Sequence, residues 1–147
     1  EFLGGVDPMH LRWSDLVRRI REAVPGMPVT VWCNEDTPLI WGQILREMAG
    51  IPLERKIIGS FDVFSEIINP EGMRRFRAFL KENPGVNEAQ KRRVMTAFLD
   101  KYALDEAIEE ELDLPGWDAA YVDMLTELYD EDVWQIGQMP GVRLLTP

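Results

Sequence analysis

Residues 28–41 read PVTVWCNEDTPLIW, and the fold turns on them. Val29, Val31 and Cys33 alternate with Thr30 and Trp32, the period-two pattern of a strand. Thr37-Pro38 then caps a helix whose apolar residues Leu39, Ile40, Ile44, Leu45 and Met48 recur at helical spacing until Gly50 stops it. The turn between strand and helix is an acidic pair, Glu35 and Asp36. Both strand faces are largely apolar, which predicts a strand buried in a sheet with cover on each side. A single strand is not a sheet. RLLTP at 143–147 is the other plausible strand, and RKIIG at 55–59 is a weaker third. The shortage points to further strands in sequence outside this chain, or to strand pairing between two copies.

Helices fill the rest. Asp7-Pro8 opens the first, with Leu11, Leu16, Ile20 and Val24 as its apolar stripe, widened by Trp13 and Val17, until VPGMP breaks it. Ser60 caps a short helix bearing Val63, Phe64, Ile67 and Ile68. Asn69-Pro70 starts a helix with Met73, Phe76, Phe79 and Leu80 inward and Arg74, Arg75, Arg77 and Lys81 outward. Asn87 with Gln90 is a capping box for a long helix carrying Val94, Phe98 and Leu99, extended through Tyr102, Leu104 and Ile108. The last helix spans 117–136, with Ala120, Leu125, Leu128, Val133 and Ile136 near one stripe. The expected fold is mostly α with a minor β element, about six helices around one or two short strands. It forms a single domain, 1–147, of a kind belonging to a larger α/β protein.

Composition narrows the function classes. With 46% hydrophobic and 29% charged residues over 147 positions, the chain has the makings of a folded core. No apolar run approaches the ~20 residues that span a bilayer, and EFLGGVDPMH has no signal-peptide pattern. One Cys and one His exclude an internal disulfide and a His/Cys zinc cage, and favour a reducing, cytoplasmic setting. The chain starts at Glu1 and its first Met is Met9, as expected of a processed chain or a piece of a longer one. Residues 1–99 carry 14 Lys and Arg against 13 Asp and Glu, whereas residues 100–147 carry 2 against 13. This acidic C-terminal third repels phosphate backbones and argues against nucleic acid. It suits either a solvated face or a basic protein partner.

Chemistry-bearing residues are few. Cys33 has no His within 20 residues and reads as a core cysteine at a strand end, and His10 reads as a surface residue of the first helical turn. Glu35, Asp36 and Thr37 stand where side chains either cap a helix or edge a pocket. The pairs Arg18/Arg19 and Arg74/Arg75 are candidates for gripping an anion, as is the pair at 92/93. EEELD and YDEDVW lack the oxygen spacing of a calcium loop, so no metal is expected. Neither GxxxxGK[ST] nor GxGxxG occurs, nor GxSxG or HExxH.

The order of elements, LRWSDLVRRIREAVP, VTVWCNED, PLIWGQILREMAGIP and a late LTELYDEDVWQI, resembles the C-terminal part of bacterial sulfotransferase-like proteins of the P-loop sulfotransferase superfamily. In that family a strand ends in an aromatic and an acidic pair, commonly Tyr-Glu-Asp then Leu or Phe, and a helix with a YxxD pattern closes the chain. Here Asn34 takes the aromatic's place, Glu35 and Asp36 match the acidic pair, and Tyr129 with Asp132 matches the closing motif. The resemblance covers about residues 8–50 and 117–137, with the intervening helices as an insert. The family's phosphate-binding loop, and the Arg and Ser preceding its equivalent of the first helix, are not in this sequence. The resemblance therefore implies a C-terminal, non-catalytic portion whose activity needs an N-terminal half. It also implies that 3'-phosphoadenosine 5'-phosphosulfate is a cofactor of the parent and not of this chain, and that the partner is that half or a second copy. The alternative is a stand-alone helical interaction domain using its acidic C-terminal third. A small enzyme built on Glu35, Asp36 and a nearby Arg is a third reading.

Overall fold

The computed structural model describes residues 10–104, 107 and 114–147. Among the described residues, the α-helices and strands with defined bounds follow in the order α1 (Trp13–Ala23), β1 (Val29–Trp32), α2 (Thr37–Ala49), α3 (Asp62–Glu66), α4 (Pro70–Glu82), α5 (Glu88–Tyr102), α6 (Ala119–Gln138) and β2 (Val142–Leu145). The fold is thus mostly α with a minor β element, and β1 and β2 form a two-stranded parallel sheet. The chain divides into two compact units, residues 1–31 with 112–144 and residues 32–111 with 145–147.

In the first unit, α1 packs along α6. Val17 and Ile136 are buried there, but much of the apolar stripe expected for α1 is not. Leu11, Leu16 and Val24 are exposed, and Trp13 is 62% exposed. The helix begins at Trp13 rather than at Pro8, with Arg12 as N-cap residue and no side-chain cap of its own; Asp7 and Pro8 lie outside the described residues. His10 therefore precedes α1, where it is exposed. Asp118 caps α6 by accepting the Tyr121 N–H at 2.8 Å. On that helix Ala120 is exposed, while Leu125, Leu128 and Val133 are half-buried. The Arg21 guanidinium donates to the Met27 and Gly141 carbonyls at 3.0 and 3.2 Å, tying the start of one strand segment to the approach of the other. Gly141 holds φ +74°, a left-handed conformation that glycine adopts without strain.

The second unit holds the larger core. Phe64, Ile68, Met73, Phe76 and Met95 are buried, with Phe61, Phe98, Leu99 and Tyr102 packed against them. Edge-to-face contacts link Phe76 to Phe61, Phe64 and Phe98 at 5.1–5.6 Å between ring centres, a favoured geometry for aromatic pairs. Asn69 caps α4 by accepting from Gly72 N–H at 2.8 Å, and Pro70 follows at the first helical position, where its missing N–H has no cost. The Asn87–Gln90 capping box starts α5 with both bonds at 2.9 Å. The C-terminal end of α5 is locked to the α3–α4 corner: Asn69 N–H donates to Tyr102 O at 2.8 Å and Leu104 N–H to Ile67 O at 2.9 Å. A smaller cluster joins Ile40, Ile44 and Leu145, with Trp32, Leu39 and Trp41 around it.

Several expectations need correction. RKIIG forms no strand; it lies in an irregular loop, with Ile58 95% exposed. β1 is not buried under cover on both faces, because all four of its residues are only half-buried. Ser60 does not cap α3, whose N-cap residue is Phe61; the Ser60 Cβ sits 3.1 Å from where a Cβ on Gly42 would lie, so it packs against α2. The apolar stripe of α2 stops short of Met48, which is exposed. α5 ends at Tyr102, and Ile108 lies outside the described residues, as do the acidic residues of EEELD.

Candidate functional site

β1 delivers the chain into the acidic corner. Cys33 leads into a single 3₁₀ turn, Asn34–Asp36, closed by Asp36 N–H donating to Cys33 O at 3.2 Å. That turn runs directly into α2, so Asp36 takes the N-cap position and Thr37 becomes the first helical residue. Neither part of the expected cap forms: Asp36 makes no side-chain hydrogen bond to the helix, and the buried Thr37 Oγ1 has no partner among the described residues. The reason is geometric. A side-chain cap needs an extended N-cap backbone, and the 3₁₀ turn holds Asp36 at φ −78°, ψ −14°.

Burial, and secondarily the neighbouring Glu35, raise the Asp36 carboxyl above its ordinary value. Desolvation and like charge both disfavour the ionised form. Cys33 is in no disulfide and is half-buried rather than a core residue. The corner thus gathers a carboxyl inclined to hold its proton, an exposed Glu35 and a buried hydroxyl. It lies immediately beyond the carboxyl end of a parallel strand, the side on which open α/β sheets bind ligands. Among the described residues no group of three or more His, Cys, Asp or Glu is placed to hold a metal ion.

The arginine pairs come apart. Arg18 forms an ion pair with Asp15, one turn away on the exposed face of α1, and Arg19 is exposed beside it. Arg75 pairs with Glu71 at 2.6 Å and lies 5.9 Å above the centre of the Tyr102 ring. Arg74 turns elsewhere. With Arg77 it borders a depression of about 390 Å³ whose other walls are Ser65, Ile68, Pro70 and Met73. Adjacent arginines in sequence point about 100° apart on a helix, whereas positions three apart share a face. Arg77 was therefore legible as the neighbour of Arg74 from spacing alone, while Arg74 and Arg75 face different surroundings.

Asp132, the last residue of the Tyr129–Asp132 motif, is 3% exposed. Its carboxylate accepts the Trp13 N–H at 2.6 Å and the Ser14 N–H at 3.2 Å. It supplies from α6 the cap that α1 lacks. Arg12 reinforces the junction, donating to Leu128 O at 2.7 Å and lying 3.6 Å from Glu131. A small cleft of about 140 Å³ lies here, lined by Leu11, Trp13, Leu125, Leu128 and Tyr129 among others.

Comparison with protein-family models, with curated proteins and with solved structures finds no match. Among the described residues no helix is long and apolar enough to cross a membrane.

Proposed function

We propose that this chain is the C-terminal portion of a sulfotransferase-like α/β protein, in which β1 and β2 join a wider parallel sheet completed by an N-terminal half. The observation that carries the reading is the two-stranded parallel sheet. Parallel strands occur almost only in larger sheets covered on both faces, and two strands alone are marginal in water. Here all of β1 is half-buried, and among the described residues its one partner is β2. Val29 N–H donates to Gly141 O. Alternate residues of a parallel ladder face the same neighbour, so the amides of Thr30 and Trp32 face away from β2. The Glu35–Asp36 corner at the carboxyl end of β1 is the feature the resemblance requires. On this reading the chain supplies sheet, covering helices and one side of the ligand crevice. Sulfuryl transfer and the binding of 3'-phosphoadenosine 5'-phosphosulfate belong to the assembled protein.

The test compares the chain alone with the product of its full reading frame. Amide exchange at Thr30 and Trp32 is expected to be slow in the longer protein and fast in the chain alone at concentrations low enough to keep it monomeric. Calorimetry with adenosine 3',5'-bisphosphate is expected to show binding only by the longer protein. A reading frame that begins at Glu1 overturns the proposal, and so does a longer protein that does not bind the nucleotide.

A second reading, an interaction domain using its acidic C-terminal third, is favoured by one feature of α6. Asp118, Glu131 and Asp132 are engaged internally. Asp123, Glu127 and Asp130, spaced four and three apart, form an exposed acidic stripe. A basic protein partner held there would be released by salt and by the triple change Asp123→Asn, Glu127→Gln, Asp130→Asn. Retention of the partner under both treatments rules this reading out.

A further inference from the structure

We propose that the depression bordered by Arg74 and Arg77 binds a small organic oxyanion, a phosphate or carboxylate carried on a compact apolar body. Two guanidinium groups one helical turn apart on α4 repel each other, and neither makes an ion pair or hydrogen bond with a described residue. Several other arginines do have acceptors: Arg12 has Leu128 O, Arg21 has Gly141 O, Arg46 has Pro52 O and Arg75 has Glu71. The floor beneath Arg74 and Arg77 is apolar and fixed, since Ile68 and Met73 are both buried members of the main core. Pro70 forms a further apolar wall. Ser65 Oγ donates to Asp62 O at 2.7 Å, so its proton is committed and its lone pairs cannot attract an anion. The charge complement therefore comes from the two arginines, whose planar forks suit a phosphate or carboxylate. About 390 Å³ lies within the range of small-ligand sites. An anion alone would leave the apolar floor wet; an anion with a ring or short alkyl group would cover it.

This inference is independent of the sulfotransferase-like reading, because the site lies in the helices between the two segments that carry the resemblance. Phenyl phosphate is the probe, titrated into the isotope-labelled chain and followed by amide shifts. Saturable binding is expected, with shifts centred on Ser65, Ile68 and residues 73–77. Inorganic phosphate and phenol should each bind about tenfold more weakly or worse. Arg74→Gln with Arg77→Gln should weaken phenyl phosphate at least about tenfold, while Arg19→Gln should leave it unchanged. Both arginines are exposed and Gln is a good helix former, so the double variant keeps the fold, which its amide spectrum verifies directly. The proposal fails if phenyl phosphate does not saturate, or if the double variant binds it as well as the parent does. Equal affinity for phenyl phosphate and inorganic phosphate, an adventitious ion only, overturns it too.

Discussion

Gly72 shows how a single residue decides a contact between helices. A Cβ at this position would lie 2.4 Å from Tyr102 Cβ, 2.8 Å from its Cγ and 2.9 Å from Ile68 Cγ1. Helix propensity alone favours Ala over Gly by about 1 kcal/mol, but the clash is with the root of the Tyr102 side chain, which cannot swing away. Sterics win, and Gly72→Ala is expected to destabilise by ~2–3 kcal/mol, the range of an overpacked core. Gly85 is the control: nothing lies within 4 Å of its Cβ position and it needs no positive φ. Gly85→Ala should be neutral, or stabilising by up to about 1 kcal/mol. Urea unfolding of both variants checks this, and a Gly72→Ala protein as stable as the parent would refute the close-approach account. Asp36 supplies a second residue-level prediction. Its folded-state pKa is raised by burial and then by Glu35, so ionisation is less favourable in the folded chain than in the unfolded one. The stability tied to its neutral form is complete below the ordinary value of 3.8 and is lost as pH rises through the folded value. Asp36→Asn keeps the shape and removes the charge. Near pH 7 it should stabilise by ~0.3–0.5 kcal/mol, a small figure because the side chain is half exposed and screened. Near pH 3 the advantage should vanish. A gain that grows on acidification would contradict the sign.

Between elements, the decisive contact is the capping of α1 by Asp132 of α6. A helix start leaves several N–H groups without intrahelical partners, and α1 has at its N-cap position Arg12, whose side chain cannot accept a hydrogen bond. The buried Asp132 carboxylate takes two of those donors. Asp132→Ala leaves them unsatisfied and is expected to cost ~2–4 kcal/mol. Asp132→Asn retains one acceptor oxygen and should cost about half as much. Thermal melts rank the two, and amide exchange of α1 should accelerate in both; an alanine variant within about 0.5 kcal/mol of the parent would mean that water replaces the cap. Nothing local in the sequence announces this contact, since its partners stand 118 and 119 residues apart. What local spacing does encode was legible: the six helices, the Asn87–Gln90 box, Asn69-Pro70, and the stop at Gly50, which adopts φ +61°. Residue type misled where tertiary context overrode it. Ser60 and Thr37 are good capping residues that do not cap, one packed on Gly42 and the other inside the helix. The β-branched Ile57–Ile58 pair has strand propensity and no strand beside it. At the candidate sites, Glu35 and Asp36 were visible as a corner, but the Arg74–Arg77 pairing was masked by the more conspicuous doublet Arg74–Arg75.

At the scale of the molecule, the outer edge of β1, which no strand among the described residues pairs, sets the expected behaviour of the chain on its own. Exposed apolar side chains are numerous, with Trp13 at 62% and Trp134 at 65%, yet scattered apolar exposure is ordinary for folded proteins. Main-chain donors facing outward from β1 are a different matter, because an unpaired strand edge is a template for another strand. The chain in isolation is therefore expected to associate as concentration rises, by pairing β1 with a β1 of a second copy. Thr30→Pro tests this selectively. Thr30 is an outward-facing position of β1, so proline there removes an edge donor while leaving the Val29 bond to Gly141 intact, and edge strands are where sheets tolerate proline. Sedimentation velocity across a hundredfold range of concentration should show self-association of the parent chain and a monomer for Thr30→Pro, with similar melting temperatures at the lowest concentration. If the parent remains monomeric throughout while its Thr30 amide exchanges slowly, the edge is already satisfied within one chain. The need for strands from elsewhere then disappears, and with it the main support for reading this chain as one part of a larger α/β protein.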